Sequence, residues 1–231
     1  MTPLRTQSFR YRGGVVRIAA WHGRADVASL AVRGRGTLPA ASVDRLLARV
    51  RAAGFREVVT NALPAAATLP LVDAGFEVRG RLCLLVHDLL HLDAPSGRTR
   101  RSRRDERDAV LAVDALAFDE FWRLDAEGFR SARRATPSSH VRVTRGALEG
   151  YGLFGRAGVD GYVQRLAVAP RAQGGGLGRA LLLDGLHWLR RRGAARAYVN
   201  TQSDNDRAFA LYERAGFRPL PVGLSVLGRT L

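Results

Sequence analysis

The chain contains no lysine. All of its 37 basic residues are arginine, against 21 acidic residues, which leaves a formal net charge of +16. A Walker-type phosphate loop, which needs a lysine, is thereby excluded. Cys83 is the only cysteine, so neither an intrachain disulfide nor a thiolate metal cluster is available, and no metal site is expected. No apolar run approaches the roughly 18 residues of a membrane-spanning helix. The first residues lack the charged, apolar and small-residue order of a secretory leader. These absences point to a cytoplasmic protein in a reducing compartment, without a membrane partner.

Arginine without lysine, beside abundant Ala and Gly, resembles the coding bias of a GC-rich genome. Such a bias weakens the charge as a sign of nucleic-acid binding. The arginines are scattered and form no helical stripe interleaved with aromatics, so a nucleic-acid partner is not expected. The densest group, Arg98, Arg100, Arg101, Arg103 and Arg104, follows Pro95, Ser96 and Gly97. It reads as a solvated linker over 94–106, between a domain at 1–93 and another at 107–231.

In the first part, residues 15–21 and 27–32 have strand patterning. Ser42 is positioned to cap a helix that carries Val43, Leu46, Leu47 and Val50 and ends at Gly54. A short strand over 58–62, a weak helix over 65–74 and a strand over 78–90 follow. In the second part, helices are expected over 110–118 and 122–133, the latter stopped by Pro137. Strands over 140–144, 150–155 and 162–168 come next. A helix carrying Leu182, Leu186 and Leu189, a strand over 197–201, a helix over 206–215 and a strand over 222–227 complete the pattern. The whole is an α/β chain of the mixed-sheet, α+β type.

The two parts repeat each other. Val58 and Phe76 match Val199 and Phe217 at the same separation, and Ala74-Gly75-Phe76 matches Ala215-Gly216-Phe217. In this register Pro64 replaces Asn205 and Leu71 replaces Tyr212. The first part is also five residues shorter between its strand and helix. Gly34 and Gly36 remain there, and Pro39 stands where a loop would enter the helix.

The five missing residues correspond to the most informative stretch of the chain. Strand residues Leu166, Ala167 and Val168 lead to Gln173-Gly174-Gly175-Gly176-Leu177-Gly178-Arg179, which opens onto a helix. Glycines let the backbone approach an anion, and free N–H groups at a helix N-terminus face it with the positive end of the dipole. Leu177 is expected to point into the core. A Rossmann reading needs a carboxylate at the end of the next strand, and Asn200-Thr201 supply none. Downstream stands Asn205-x-x-Ala208-x-x-x-Tyr212-x-x-x-Gly216-Phe217. Taken alone, Asn205 is a helix N-cap and Gly216 a C-terminal stop.

Strand, Gln-x-x-Gly-x-Gly loop, helix, strand and then Asn-x-x-Ala-x-x-x-Tyr together resemble the GCN5-related N-acetyltransferases (GNATs). The resemblance covers about 108–231 well and about 14–90 in outline, as a degenerate repeat without the cofactor loop. It implies a mixed sheet whose two central parallel strands splay to admit acetyl-CoA, the acyl donor. It further implies that backbone around Leu166, Ala167 and Val168 holds the pantetheine and acetyl groups, and that the loop from Gln173 to Arg179 holds the pyrophosphate. Asn205 would contact the cofactor, and Tyr212 would protonate the departing thiolate while an amine attacks the thioester. Among ribosomal-protein N-terminal alanine acetyltransferases the base is a glutamate at the position of Asn200, and asparagine cannot do that work.

Candidate acceptor residues are Asp119, Glu120, Trp122, Asp125 and Asn200, with Glu127 as a further carboxylate. The run 118–125 reads either as an amphipathic helix packing its rings on the sheet or as a wall for a cationic amine. His140, Glu149 and His187 read as structural. The implied activity is acetyl transfer to a primary amine, on a protein or a small molecule. Two alternatives stay open: a non-catalytic acyl-CoA-binding scaffold, and a tandem enzyme resembling mycothiol synthase, which acetylates a cysteinyl-sugar amine.

Overall fold

The computed structural model describes residues 7–22, 24–34 and 38–231. The chain divides into two compact units, Met1–Cys83 with Pro221–Leu231, and Leu84–Leu220. Gly36, a candidate remnant of a loop, lies outside the described residues.

In the first unit the chain forms β1 (Gln7–Tyr11), β2 (Gly14–Trp21), β3 (Arg24–Gly34), α1 (Ala40–Ala52), β4 (Glu57–Thr60), β5 (Leu63–Pro64) and α2 (Ala65–Asp73). β1 is not expected from the sequence. Its apolar residues alternate over only five positions, and its pairing with β2 defines it. β1, β2 and β3 are antiparallel, whereas β3 and β4 are parallel, from Val27 beside Glu57 to Leu30 beside Thr60. Val16, Ile18, Leu30, Val43, Leu46, Val50, Val58 and Leu71 make the core of this unit.

Ser42 does not cap α1. Extended Pro39 stands at the N-cap and Ser42 lies buried in the first turn, accepting from Arg45 Nη2 at 3.2 Å. Proline suits that entry because it has no N–H to leave unpaired.

The expected strand 78–90 is β6 (Glu77–His87), within which the chain passes into the second unit. There follow β7 (Thr99–Arg101), α3 (Arg107–Ala117), α4 (Ala126–Arg134), β8 (Ser138–Thr144), β9 (Gly150–Ala157), β10 (Asp160–Val168), α5 (Leu177–Arg191), β11 (Arg196–Gln202), α6 (Asp206–Arg214) and β12 (Arg218–Thr230). Past Leu220, β12 belongs to the first unit, where Gly228 pairs with Val59. Within the second unit the strands run in the order β11-β10-β9-β8-β7.

The region 94–106 is not a free linker. Thr99, Arg100 and Arg101 pair with Thr144, Val143 and Arg142. The buried Thr99 hydroxyl donates to Asp184 of α5, and Arg142 Nη2 closes the group at 2.7 Å from Asp184. Charge density conceals this strand, because one buried threonine between arginines carries it.

The run 118–125 is likewise not a helix. α3 stops at Ala117, and α4 begins only after Asp125, whose carboxylate accepts from Gly128 N at 2.7 Å. Asp114, fully buried in α3, organises the turn between them. Its carboxylate accepts from Leu124 N at 2.7 Å, from Tyr151 Oη at 2.5 Å, and from both arms of Arg165 at 2.7 and 2.8 Å. The Arg165 guanidinium also donates to the Trp122 carbonyl and lies 3.4 Å over the Phe118 ring. A buried carboxylate is tolerated only when its charge and lone pairs are met in this way. Burial beside that charge holds the Tyr151 hydroxyl well above its ordinary pKa, so it stays a donor.

Candidate active site

The site begins where β10 and β11 part. They pair in parallel from Asp160 beside Arg196 to Val163 beside Val199, and no further. At this point β10 carries a bulge against β9: Val163 faces Phe154 and Arg165 faces Leu153, leaving Gln164 outside the ladder. A bulge adds one residue, bends the strand and re-aims the side chains beyond it. Leu166, Ala167 and Val168 therefore remain paired with β9 on one side while their other edge has no partner strand, which opens the sheet there. Gln164 donates to the Ala132 carbonyl at 3.0 Å, which fixes the bulge to α4.

Beyond Val168 the chain turns through Pro170–Ala172 into the glycine loop. Gln173 is a scaffold residue here. Its amide donates to the Val168 carbonyl at 2.9 Å and its oxygen accepts from Arg207 of α6. Gly174 and Gly176 have φ of +84° and +78°, values that favour glycine, and Gly176 is the N-cap of α5. The first amide of this helix to find a backbone partner is Ala180, on the Gly176 carbonyl at 3.0 Å. Among the described residues, the six amides from Gly174 to Arg179 have no backbone partner. Six unpaired donors at the positive end of a helix form an anion cradle.

Three arginines stand at this cradle. Arg98 donates to the Gly175 carbonyl at 2.6 Å, Arg207 holds Gln173, and Arg179 pairs with Asp93. The sequence places Arg98 in a linker. Its partner is a backbone oxygen 77 residues away, which no local pattern announces. Leu177, expected in the core, is only partly buried at the first position of the helix.

On the far side of the opening, Asn205 caps α6, accepting from Ala208 N at 3.0 Å. Tyr212, about two turns further on, is buried at 5% exposure. Among the described residues nothing hydrogen-bonds its hydroxyl, and burial alone raises its pKa. It packs edge-on to Phe217 with ring centres 5.6 Å apart. Phe217 N closes the helix end on the Tyr212 carbonyl, and Gly216 takes φ +93°. His87 locks this corner. Its Nδ1 accepts from Leu89 N at 2.8 Å, so Nε2 carries the proton and donates to the Ala215 carbonyl at 2.9 Å.

The acceptor candidates fall into two groups. Asp119 and Asp125 are spent as local caps, on Trp122 N and Gly128 N. Glu127 pairs with Arg130, Glu120 is exposed, and Trp122 belongs to the turn around Asp114. Asn200 lies on β11 just past the last pair with β10 and is exposed. Glu149 pairs with Arg171, and His187 meets the Asp93 carbonyl at 2.8 Å. Among the described residues no group of His, Cys, Asp and Glu could hold a metal ion.

A parted pair of parallel strands, a six-amide cradle and an unengaged buried tyrosine make one constellation. The profile of the "Acetyltransferase (GNAT) family" matches residues 100–217, half of the chain. The chain belongs to the GNAT acetyltransferase family. A mycothiol acetyltransferase of Amycolatopsis mediterranei is 36% identical over 191 residues, which cover 72% of this chain and 62% of that protein. One from Rhodococcus erythropolis is 32% identical, covering 80% of this chain and 68% of its own. The first three curated relatives are spanned over 42 to 62% of their length.

Solved structures of this family share the fold over nearly the whole chain. A tandem GNAT protein from the clavulanic acid biosynthesis pathway superposes with TM-score 0.66 at 16% identity, covering 100% of this chain and 85% of its own. A GNAT from Kribbella flavida gives 0.67 at 16% identity, over 96% and 89%. The likeness therefore includes the N-terminal half, in which a degenerate repeat is expected. No helix among the described residues is long and apolar enough to cross a membrane.

Proposed function

We propose that this chain is an acetyl-CoA-dependent N-acetyltransferase whose working site lies in the second unit and whose acceptor is a small primary amine. One observation supports it above the rest: the opening between β10 and β11 runs straight into six amides without backbone partners. A long, flexible thioester ending in phosphates matches that shape. Its pyrophosphate takes the amides from Gly174 to Arg179, and its pantetheine adds to the free edge of Leu166, Ala167 and Val168.

An amine entering the opening attacks the thioester carbon. The C–N bond forms, the C–S bond breaks, and the sulfur leaves with the electron pair and takes the Tyr212 proton. The nitrogen loses its surplus proton to water, and the tyrosine is reprotonated from water. Tyr212 is the group that meets the sulfur. Its hydroxyl has no other partner among the described residues, and burial holds its proton. Asn205 contacts the donor through whatever capacity its capping bond leaves.

The mycothiol acetyltransferase relatives favour an amine on a cysteinyl sugar as acceptor. A scaffold that binds acyl-CoA without turnover is favoured by one observation, the asparagine at position 200 in place of a carboxylate. Acetyl-CoA turnover, read as released thiol, separates the two. Cysteinyl-sugar amines, N-terminal peptides and aminoglycosides are offered in turn. The enzyme reading expects turnover with the first, and CoA binding without turnover across the whole panel would leave the scaffold.

A further inference from the structure

A second basic cavity lies in the same unit, away from the glycine loop. It has a volume of about 390 Å³ and is lined by Arg101, Arg103, Arg104, Arg107, Arg130 and Arg133, with Ser102, Ser139 and His140 between them. The buried Val110 and Phe129 and the partly buried Val141 give it an apolar lining. It sits at the sheet edge where β7 ends, since β7 pairs only with Arg142, Val143 and Thr144 and leaves the first residues of β8 uncovered. Through the ladder, Ser139 is level with Tyr162 of β10, six residues before Val168.

No carboxylate lines this cavity. Elsewhere in the unit arginines meet acids: Arg100 with Glu106, Arg142 with Asp184, Arg165 with Asp114. Of the six lining arginines only Arg107 and Arg130 form ion pairs, with Asp108 and Glu127. Arg101, Arg103, Arg104 and Arg133 have no ion-pair partner among the described residues. Six cations gathered with fewer counter-charges repel, and the cost falls when an anion enters. His140, stacked on Trp188 with centres 5.0 Å apart, is held to a pKa of about 4 by burial and the surrounding arginines. It therefore adds a neutral donor or acceptor to the wall at pH 7.

We infer that this cavity is a second anion site, separate from the donor cradle, which takes a small molecule carrying clustered phosphates. Guanidinium forks match phosphate oxygens two at a time, and several forks around one small volume favour several phosphates over a single carboxylate. The Ser139 hydroxyl adds a neutral donor of the kind a phosphate cluster uses, whereas that of Ser102 donates to the Arg103 carbonyl at 3.1 Å.

Titration of the full chain with inorganic tripolyphosphate at about 0.15 M salt tests this. Two variants of equal charge change are compared: Arg104→Ala/Arg133→Ala in the cavity and Arg51→Ala/Arg214→Ala, exposed arginines outside both the cavity and the glycine loop. The wild-type chain should show two classes of tripolyphosphate site, the cavity and the glycine loop. The cavity pair should weaken one class about tenfold or more and leave the other, and the control pair should change neither by more than about twofold. Should the cavity pair fail to fold, Arg101→Gln alone reads the same outcome. Equal losses in both pairs, a single class of site that the cavity pair leaves unchanged, or no binding at that salt would each overturn the site. So would tighter binding of a single-stranded oligonucleotide through the same arginines, which would make the cavity part of a nucleic-acid surface.

Discussion

The two units contain the same strand–helix–strand–helix order, and they differ at the point where the parallel strands would part. In the second unit β10 and β11 separate after Val163 and Val199, and the glycine loop follows. In the first, β3 and β4 stay paired to Leu30 and Thr60. Asn61 then extends the seam, donating its N–H to the Leu30 carbonyl at 3.0 Å and accepting from Val32 N at 2.8 Å. A binding slot in this fold is thus a place where pairing is withheld. One bulged residue and a glycine loop keep it open, and one asparagine closes its counterpart. The cores differ in the same sense. Among the described residues the first unit buries only Ser42 and Thr60 as polar members, whereas the second buries Asp114 and Asp184.

That contrast can be broken at several points. Asp114→Asn should have the largest effect, because Arg165 would stay buried without its counter-charge. A loss of about 3–5 kcal/mol is expected, measured by urea unfolding. A loss no greater than that of an exposed substitution would show the pair to be dispensable. Next comes Tyr212→Phe, which should lower kcat about a hundredfold and leave the melting temperature almost unchanged. Its counterpart Leu71→Ala should do the reverse, costing about 2–5 kcal/mol of stability at an unchanged rate per folded molecule. A stability loss in Tyr212→Phe with no rate loss would make that tyrosine a core residue like Leu71.

Asn61→Leu is a finer probe. It removes the seam of the first unit for about 1 kcal/mol, and CoA affinity, read by calorimetry, should not move. A change in CoA affinity would mean that the first unit takes part in donor binding. An effect of a different kind is expected from acid. His140 has a folded pKa of about 4 against the ordinary 6.5, so the unfolded chain takes up its proton first. Its contribution is intact above pH 6.5 and is lost as pH falls from there toward 4. His140→Gln should flatten the melting temperature across that window, and an unchanged slope would assign the acid response to other groups.

The elements that fold on local pattern are legible in the sequence. Glycine at 174 and 176, the helix of Leu182, Leu186 and Leu189, and the Asn205 cap all announce themselves within a few residues. Three features do not. The strand at Thr99, Arg100 and Arg101 is concealed by its charge, because its justification is a buried threonine bonded to a helix 85 residues on. The turn over 118–125 looks helical because its aromatic spacing suits a helix, while Asp114 and Arg165, which shape it, come from outside the run. Arg98 and Arg207 reach the loop only in three dimensions. The family's tyrosine and glycine loop can be matched by position, whereas a carboxylate base at position 200 has no counterpart in this chain.

The bulge at Gln164 has a consequence for the time course of solvent exchange. Backbone amides on the free edge, those of Leu166 and Val168, and those from Gly174 to Arg179 have no backbone partner among the described residues to slow their hydrogen–deuterium exchange. Each should exchange quickly in the empty protein and slow sharply when a donor occupies the opening. The matching residues of β3 and Asn61, already bonded across their seam, should exchange at one pace with or without it. The withheld pairing is thus also a built-in reporter of occupancy, readable residue by residue before any acceptor is known.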